Sequence, residues 1–218
     1  MRIIEPYVEI LHLPSAKEML GLIEQAGRTC YKSEDKISEG SAEDFVRRIL
    51  KSGHESVIEH GTLTVRIVCD RGVSHEIVRH RLAAYSQEST RYANYAKDKF
   101  GNEITVIKPC FWSEDSQEYQ VWLQAMYQAE KAYLDLLQKG ASPQEARSVL
   151  PNSLKTEVVM TCNLREWRHV IGLRSSRAAH PQIREVMLQL LAKLAPRVPV
   201  VFDDLYAQYE HLLPKTEG

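Results

Sequence analysis

Apolar positions along this chain fall into two periods, and the points where one gives way to the other mark out its elements. Residues 2–13 (RIIEPYVEILHL) mix β-branched and alternating apolar residues, which predicts a strand interrupted at Pro6. Ser15-Ala16-Lys17-Glu18 is a capping box, and the helix it opens sets Met19, Leu22, Ile23 and Ala26 on one face. A second helix starts at Ser41, carries Phe45, Ile49 and Leu50, and stops at Gly53. Thr62 to Cys69 (TLTVRIVC) returns to period two and predicts a half-buried strand. From Arg71 to Arg81 the pattern is helical again, with Val73, Ile77 and Val78 inward and Glu76, Arg79 and His80 within one turn.

The second half follows the same logic. Glu103 to Ile107 reads as a strand, and residues 115–139 as a long amphipathic helix whose Tyr119, Trp122 and Tyr133 serve core and subunit packing. Ser142 caps a short helix with Pro143 at its first position, carrying Arg147 and ended by Pro151. Leu154 to Met160 predicts a strand. Asn163, with Glu166 three residues on, starts a helix that presents Arg165 and His169 on one face and runs toward Arg174. Pro181 to Leu194 is an amphipathic helix and 200–213 a shorter one. Few strands and many helices predict an α+β fold. We read residues 1–218 as a single domain with a small, mostly antiparallel sheet flanked by helices.

Composition narrows the partners. Apolar residues at 44% and charged residues at 26% suit a soluble globular protein with a sizeable core. The formal charge of -1 provides no basic field, which argues against a nucleic-acid partner, and any anion site must be local. No run of about eighteen apolar residues occurs, so no membrane span is expected, and MRIIEPYVEI lacks the layout of a signal peptide. Cys30, Cys69, Cys110 and Cys162 lie far apart without a CxxC pair, as thiols of a cytoplasmic protein would. His54 and His60 are six apart and no HExxH occurs, so no metal site is expected.

The chemistry concentrates between Arg79 and Arg91. Arg79-His80-Arg81 leads through a short apolar stretch into Ser86-Gln87-Glu88-Ser89-Thr90-Arg91, with Glu88 the acid nearby. Guanidinium forks suit phosphates and flat carbonyl-bearing rings, and short hydroxyl and amide donors wrap phosphates. The pattern points to an anion site beside a planar polar ligand, which fits a nucleotide better than a metal. Ser89 as a nucleophile with His80 as base lacks a GxSxG elbow, and the segment fits a phosphate-holding loop better. Cys110, in Lys-Pro-Cys-Phe-Trp, reads as a buried cysteine at a strand end, although Pro-Cys is superficially similar to the nucleophile segment of the folate-dependent thymidylate synthase. Gly53-His54-Glu55-Ser56-Val57-Ile58-Glu59-His60 suits either a polar connector or a loop at the mouth of a site.

Arg79-His80-Arg81 followed after seven residues by Ser89 resembles the RHR-x7-S signature of the flavin-dependent thymidylate synthases. Residues 53–60 resemble that family's GHxSxxEH segment, Ala146-Arg147-Ser148-Val149-Leu150-Pro151 its AR-x-x-LP segment, and Asn163-Leu164-Arg165 through Arg174 its N-x-R helix with the arginine that follows. The blocks stand in the family's order across residues 50–185. The resemblance implies a homotetramer with active sites at subunit interfaces, binding FAD and dUMP. It also implies 5,10-methylenetetrahydrofolate as one-carbon donor and NADPH as reductant, and no enzyme cysteine as nucleophile. Flavin contacts then fall to Ser56, Arg79, His80, Arg81, Gln87, Asn163, Leu164, Arg165 and His169. The nucleotide falls to Glu76, Ile77, Val78, Arg79, Gln87, Glu88, Ser89, Thr90, Arg91 and Arg147, with its phosphate at Ser89 and Arg91. Arg174 is implied as the catalytic arginine facing the pyrimidine. Gln87 departs from the glutamate of some members, and Ser175 to Gln182 departs from the Gln-Trp-Glu-Ile version common in relatives, so Arg177 and His180 inherit no role.

Overall fold

In the computed structural model, which describes residues 1–214, Pro6 divides the N-terminal strand into β1 (Arg2–Ile4) and β2 (Tyr7–His12). Proline cannot donate to a ladder, and the chain changes partner there. β1 pairs in parallel with β5 (Thr105–Ile107), in the register Arg2 to Thr105 and Ile4 to Ile107. The other four strands form one sheet of order β2-β3-β6-β4, with β3 at Thr62–Asp70, β4 at Ala84–Gln87 and β6 at Lys155–Asn163. The expected small, mostly antiparallel sheet is therefore two sheets, the smaller one parallel.

The chain divides into two compact units, and the division falls within β2, β3, β4 and β6. One unit contains residues 1–7, 67–79 and 86–158. Its core gathers on helix α4 (Gln117–Gln138), where Tyr119, Trp122, Met126 and Tyr133 pack with Ile104, Val106 and Leu154. Tyr119, Trp122 and Tyr133 are thus core, as the sequence predicts, whereas Tyr127 on the same helix is exposed. Trp122 Nε1 donates to Ser153 Oγ at 3.0 Å, which satisfies its one polar atom. The unit also holds α3 (Arg71–Ile77) and α5 (Pro143–Ala146), the latter with proline at its start.

The other unit contains residues 8–66, 80–85 and those from 159 onward. Helix α1 (Ala16–Tyr31) begins at the capping box: Ser15 Oγ accepts from the Glu18 N–H at 3.2 Å, and the Glu18 carboxylate accepts from the Ser15 N–H at 3.1 Å. α2 (Ser41–Lys51) packs on α1 where Gly27 leaves room for Phe45, since a Cβ at Gly27 would lie 2.5 Å from that ring. α6 (Leu164–Arg174) buries Trp167 completely, and its Nε1 donates to the Leu63 carbonyl at 3.1 Å. α7 (Pro181–Leu194) and α8 (Asp203–Tyr209) complete the unit.

Three local expectations are corrected. The inward stripe of α1 is Met19, Leu20, Ile23, Glu24, Gly27 and Arg28, and Leu22 is 51% exposed. The buried face is rotated toward Leu20 and Gly27, away from Leu22, and the buried pair Arg28 Nη2–Glu24 Oε1, 2.7 Å apart, forms its far edge. α3 stops at Ile77 instead of reaching Arg81, Val78 is exposed, and Arg79 lies in a turn. No glycine or proline ends that helix. The chain leaves it to form β4, a strand too short and polar to register as period two, and beyond β4 the Glu88 N–H donates to the Glu157 carbonyl at 2.9 Å. Cys110 is exposed, not buried. Among the described residues no cysteine is in a disulfide and no cluster of metal-ligating residues occurs. No described helix is long and apolar enough to cross a membrane.

Candidate functional site

In the unit built on α6, the end of β6 hands the chain to the helix at Asn163, whose Oδ1 accepts from the Glu166 N–H at 2.9 Å. The Leu164 N–H donates to the Gly61 carbonyl at 2.9 Å, and its side chain is fully buried against Gly61, so Leu164 offers a ligand only backbone. This fixes the first turn of α6 and displays Asn163, Arg165, Arg168 and His169 along a depression of about 770 Å³. Glu55, Glu59, Leu82, Glu166 and Leu205 complete its lining. Arg165 Nη1 donates to Glu59 Oε1 at 2.6 Å, which raises the guanidinium's pKa. Ser56 is exposed within the 3-10 turn Glu55–His60, and Arg81 is exposed as well.

Arg168 is held more tightly. Its two terminal nitrogens donate to both carboxylate oxygens of Asp204, each at 2.7 Å, and Nη1 also donates to the Val201 carbonyl. Val200, a β-branched residue, takes φ +75° just before that carbonyl. Arg168 Nε is buried without a hydrogen-bond partner among the described residues.

His80 is the buried polar centre of this unit, 6% exposed. Arg174 Nε donates to His80 Nε2 at 3.0 Å, and Glu166 Oε1 stands 3.7 Å from His80 Nδ1. The His169 ring meets His80 edge-on at 5.7 Å, and Tyr85 Oη donates to the His80 carbonyl at 2.6 Å. Burial first, then the Arg174 charge and His169, hold the His80 imidazole down to about 4, so it is neutral. Burial, with Cys162 and Glu166 adding to it, pushes the Tyr85 phenol up to about 12.

In the other unit, Gln87 Nε2 donates to Ser74 Oγ at 3.0 Å and to Thr156 Oγ1 at 3.3 Å. Glu88 accepts from Lys155 Nζ at 3.1 Å and from Tyr95 Oη at 3.2 Å. Lys155 also pairs with Glu157. Although burial opposes its charge, these carboxylates hold the Lys155 ammonium above its usual range. Arg147 Nη1 reaches Thr90 Oγ1 at 3.5 Å. Ser89 Oγ accepts from the Arg91 N–H at 3.3 Å, a turn-capping bond that fits a loop residue better than a nucleophile. Arg91 lies over the Tyr92 ring at 5.6 Å. Glu76 is half-buried and Arg79 exposed, whereas Ile77 is fully buried and can meet a ligand only through its backbone.

The motif residues thus gather into two groups. His80, Asn163, Arg165, His169 and Arg174 stand together in one unit, and Gln87, Glu88, Ser89, Thr90 and Arg147 in the other. Sequence reasoning missed Glu166, Arg168, Tyr85, Ser74, Lys155 and Thr156. Glu166 reads from sequence as the third residue of a capped helix, yet its carboxylate faces His80. The signal for Arg168 was its place one helical turn beyond Arg165, on the side Arg165 already marked.

Residues 13–200 match the family model described as thymidylate synthase complementing protein. A flavin-dependent thymidylate synthase of Pyrococcus furiosus is 37% identical over 177 residues, covering 81% of this chain and 72% of that protein. The enzyme of the same name from Corynebacterium aurimucosum is 36% identical over 209 residues, covering 88% and 82%. A crystal structure of the UMP/dUMP methylase PolB from Streptomyces cacaoi, bound with 5-Br dUMP, shares the fold at TM-score 0.78, with 23% identity over 98% of this chain and all of that one.

Proposed function

This chain belongs to the flavin-dependent thymidylate synthase family, and from that premise we propose that it converts dUMP to dTMP by reductive methylation, with 5,10-methylenetetrahydrofolate as carbon donor, NADPH as reductant and FAD as cofactor. The reading extends to a cytoplasmic homotetramer with active sites at subunit interfaces. One observation carries it: segments marked as family motifs and far apart in the chain meet at hydrogen-bond distance, His80 with Arg174 and Thr90 with Arg147.

The residues present fit a flavin nucleotide. The depression at the start of α6 lies within the volume range of cofactor pockets, about 300–1,000 Å³. Its wall offers the Arg165 guanidinium, the Asn163 amide and His169, and the buried Arg168 Nε beside it has an unused proton. Asn163, Arg165 and His169 would hold FAD there, with Ser56 from the turn at 55–60. Bound flavin would supply hydride transfer, which the side chains lining the depression cannot.

Gln87, Glu88, Ser89, Thr90, Arg91 and Arg147 would hold the nucleotide, with Ser89 and Arg91 at its phosphate. Arg174 would face the pyrimidine carbonyl edge and stabilise negative charge developing on the ring, as an oxyanion hole does. Its Nε is committed to His80, which aims the rest of the fork. The family's chemistry would need no enzyme thiolate, and Cys69 and Cys162 could supply none readily, since burial pushes both thiols far up.

The decisive assay is release of tritium from 5-labelled dUMP by the purified yellow protein with methylenetetrahydrofolate and NADPH. Release coupled to dTMP formation is expected. Flavin binding without release would leave a flavoprotein of another activity.

A further inference from the structure

We propose that Glu166 is a positioning residue for Arg174, acting through His80. Its carboxylate keeps the imidazole proton on Nδ1, which leaves Nε2 to accept from Arg174 Nε and so sets the direction of the guanidinium. The proposal rests on the reading that Arg174 meets the pyrimidine.

The proton placement follows from what each group can do. A guanidinium has donors and no acceptor, so a 3.0 Å contact from Arg174 Nε requires the lone pair of His80 Nε2. A neutral imidazole carries one proton, which must then sit on Nδ1. Nδ1 faces Glu166 Oε1 at 3.7 Å. That distance is too long for a hydrogen bond, so the carboxylate acts through its field on the N–H dipole. Glu166 is 8% exposed and His80 6%, so water screens that field poorly. The opposite tautomer would set an N–H against the Arg174 N–H and a lone pair against a carboxylate, two repulsions for two attractions.

The geometry also explains why the carboxylate is aimed there. Asn163 Oδ1 takes the Glu166 backbone N–H and fixes the first turn of α6, and Arg174 ends the same helix. His80 bridges these two positions, about two turns apart. Tyr85 Oη anchors the His80 carbonyl, which holds the ring from its other side. A carboxylate this buried is costly without a group to meet it, and the group facing Glu166 is the imidazole.

The test combines nitrogen NMR of ¹⁵N-histidine-labelled holoenzyme with kinetics. In the parent protein His80, assigned by its loss in His80→Gln, should show the Nδ1–H tautomer. Glu166→Gln, which keeps the size of the side chain and removes its charge, should give a mixture of tautomers and a lowered kcat, as Glu166→Ala does. Glu166→Ala should give a mixture of tautomers, with kcat for dTMP down about 10- to 100-fold and KM for dUMP within about threefold. An unchanged His80 signal in Glu166→Ala would overturn the proposal, as would parent-like kcat once the tautomer has shifted. Because the tautomer is read without substrate, a protein that makes no dTMP would reject the activity alone and leave the effect of Glu166 on His80 decided.

Discussion

Arg174 and His80, 94 residues apart in sequence, share a hydrogen bond of 3.0 Å in which the arginine Nε donates to the imidazole Nε2. A permanently charged group is thereby fixed by a neutral one. This bond orients the guanidinium through a group that carries no charge, which suits a residue meant to stabilise charge on a ring. Arg174→Ala should retain FAD, seen in its visible absorbance, and lose dTMP formation by at least about 10²- to 10³-fold. Arg174→Lys should recover little, since an ammonium cannot bond His80 and present a planar fork together. Turnover retained in Arg174→Ala would remove this residue from the mechanism.

The same contact sets a pH limit. Burial first, then the Arg174 charge and His169, disfavour a charged His80, and Glu166 is the acid that faces the ring, at 3.7 Å. The folded pKa of about 4 lies below the ordinary 6.5, so between these values the unfolded chain takes up a proton that the folded chain refuses. Stability is therefore full above pH 6.5 and falls as the pH drops toward 4, by up to about 3 kcal/mol from this group. Urea unfolding midpoints measured from pH 7 to 4 should fall in the parent and flatten in His80→Gln.

Gln87 donates to Ser74 Oγ, and Ser74 Oγ has already given its proton to the Arg71 carbonyl at 2.9 Å. A carboxylate at position 87 would meet a lone pair there. Gln87→Glu should cost about 1 kcal/mol at neutral pH, a fall of about 2–4 °C in Tm, partly regained when the new carboxyl is protonated near pH 4. A parent-like melting temperature would show that Ser74 can turn its hydroxyl.

Cys110 is exposed and sits two residues beyond the Lys108 that pairs with Glu5 and Glu114. Cys110→Ser should keep flavin content and dTMP formation within about twofold of the parent. Loss of product with FAD and dUMP affinity intact would restore a thiol mechanism.

Gly61 is closed in by Leu164 and Met19, so an added Cβ would stand 2.6 Å from Leu164 Cδ1. Gly61→Ala should cost about 1–3 kcal/mol and weaken FAD binding, because the turn it displaces carries Asn163 and Arg165. Equilibrium flavin titration would measure this.

Much of this protein was legible in its sequence because the signals are local. Ser15 with Glu18, Pro6, Pro143, Asn163 and Pro181 each constrain the backbone within one turn, and the elements they mark begin where they predict. The order of the arginine and histidine motifs sufficed to identify the family. Other features depend on contacts whose partners lie many residues away. The end of α3 and the strand at Ala84–Gln87 were decided by pairing in a sheet, against a helical pattern that ran on to Arg81. The buried face of α1 turned away from Leu22 toward Leu20, Glu24 and Arg28, and Glu166, locally a helix-start residue, faces His80. Hydrogen-bond caps act over three or four residues and so can be read from a string. The direction of a buried carboxylate depends on which charge lies opposite, and only the folded chain puts a charge there.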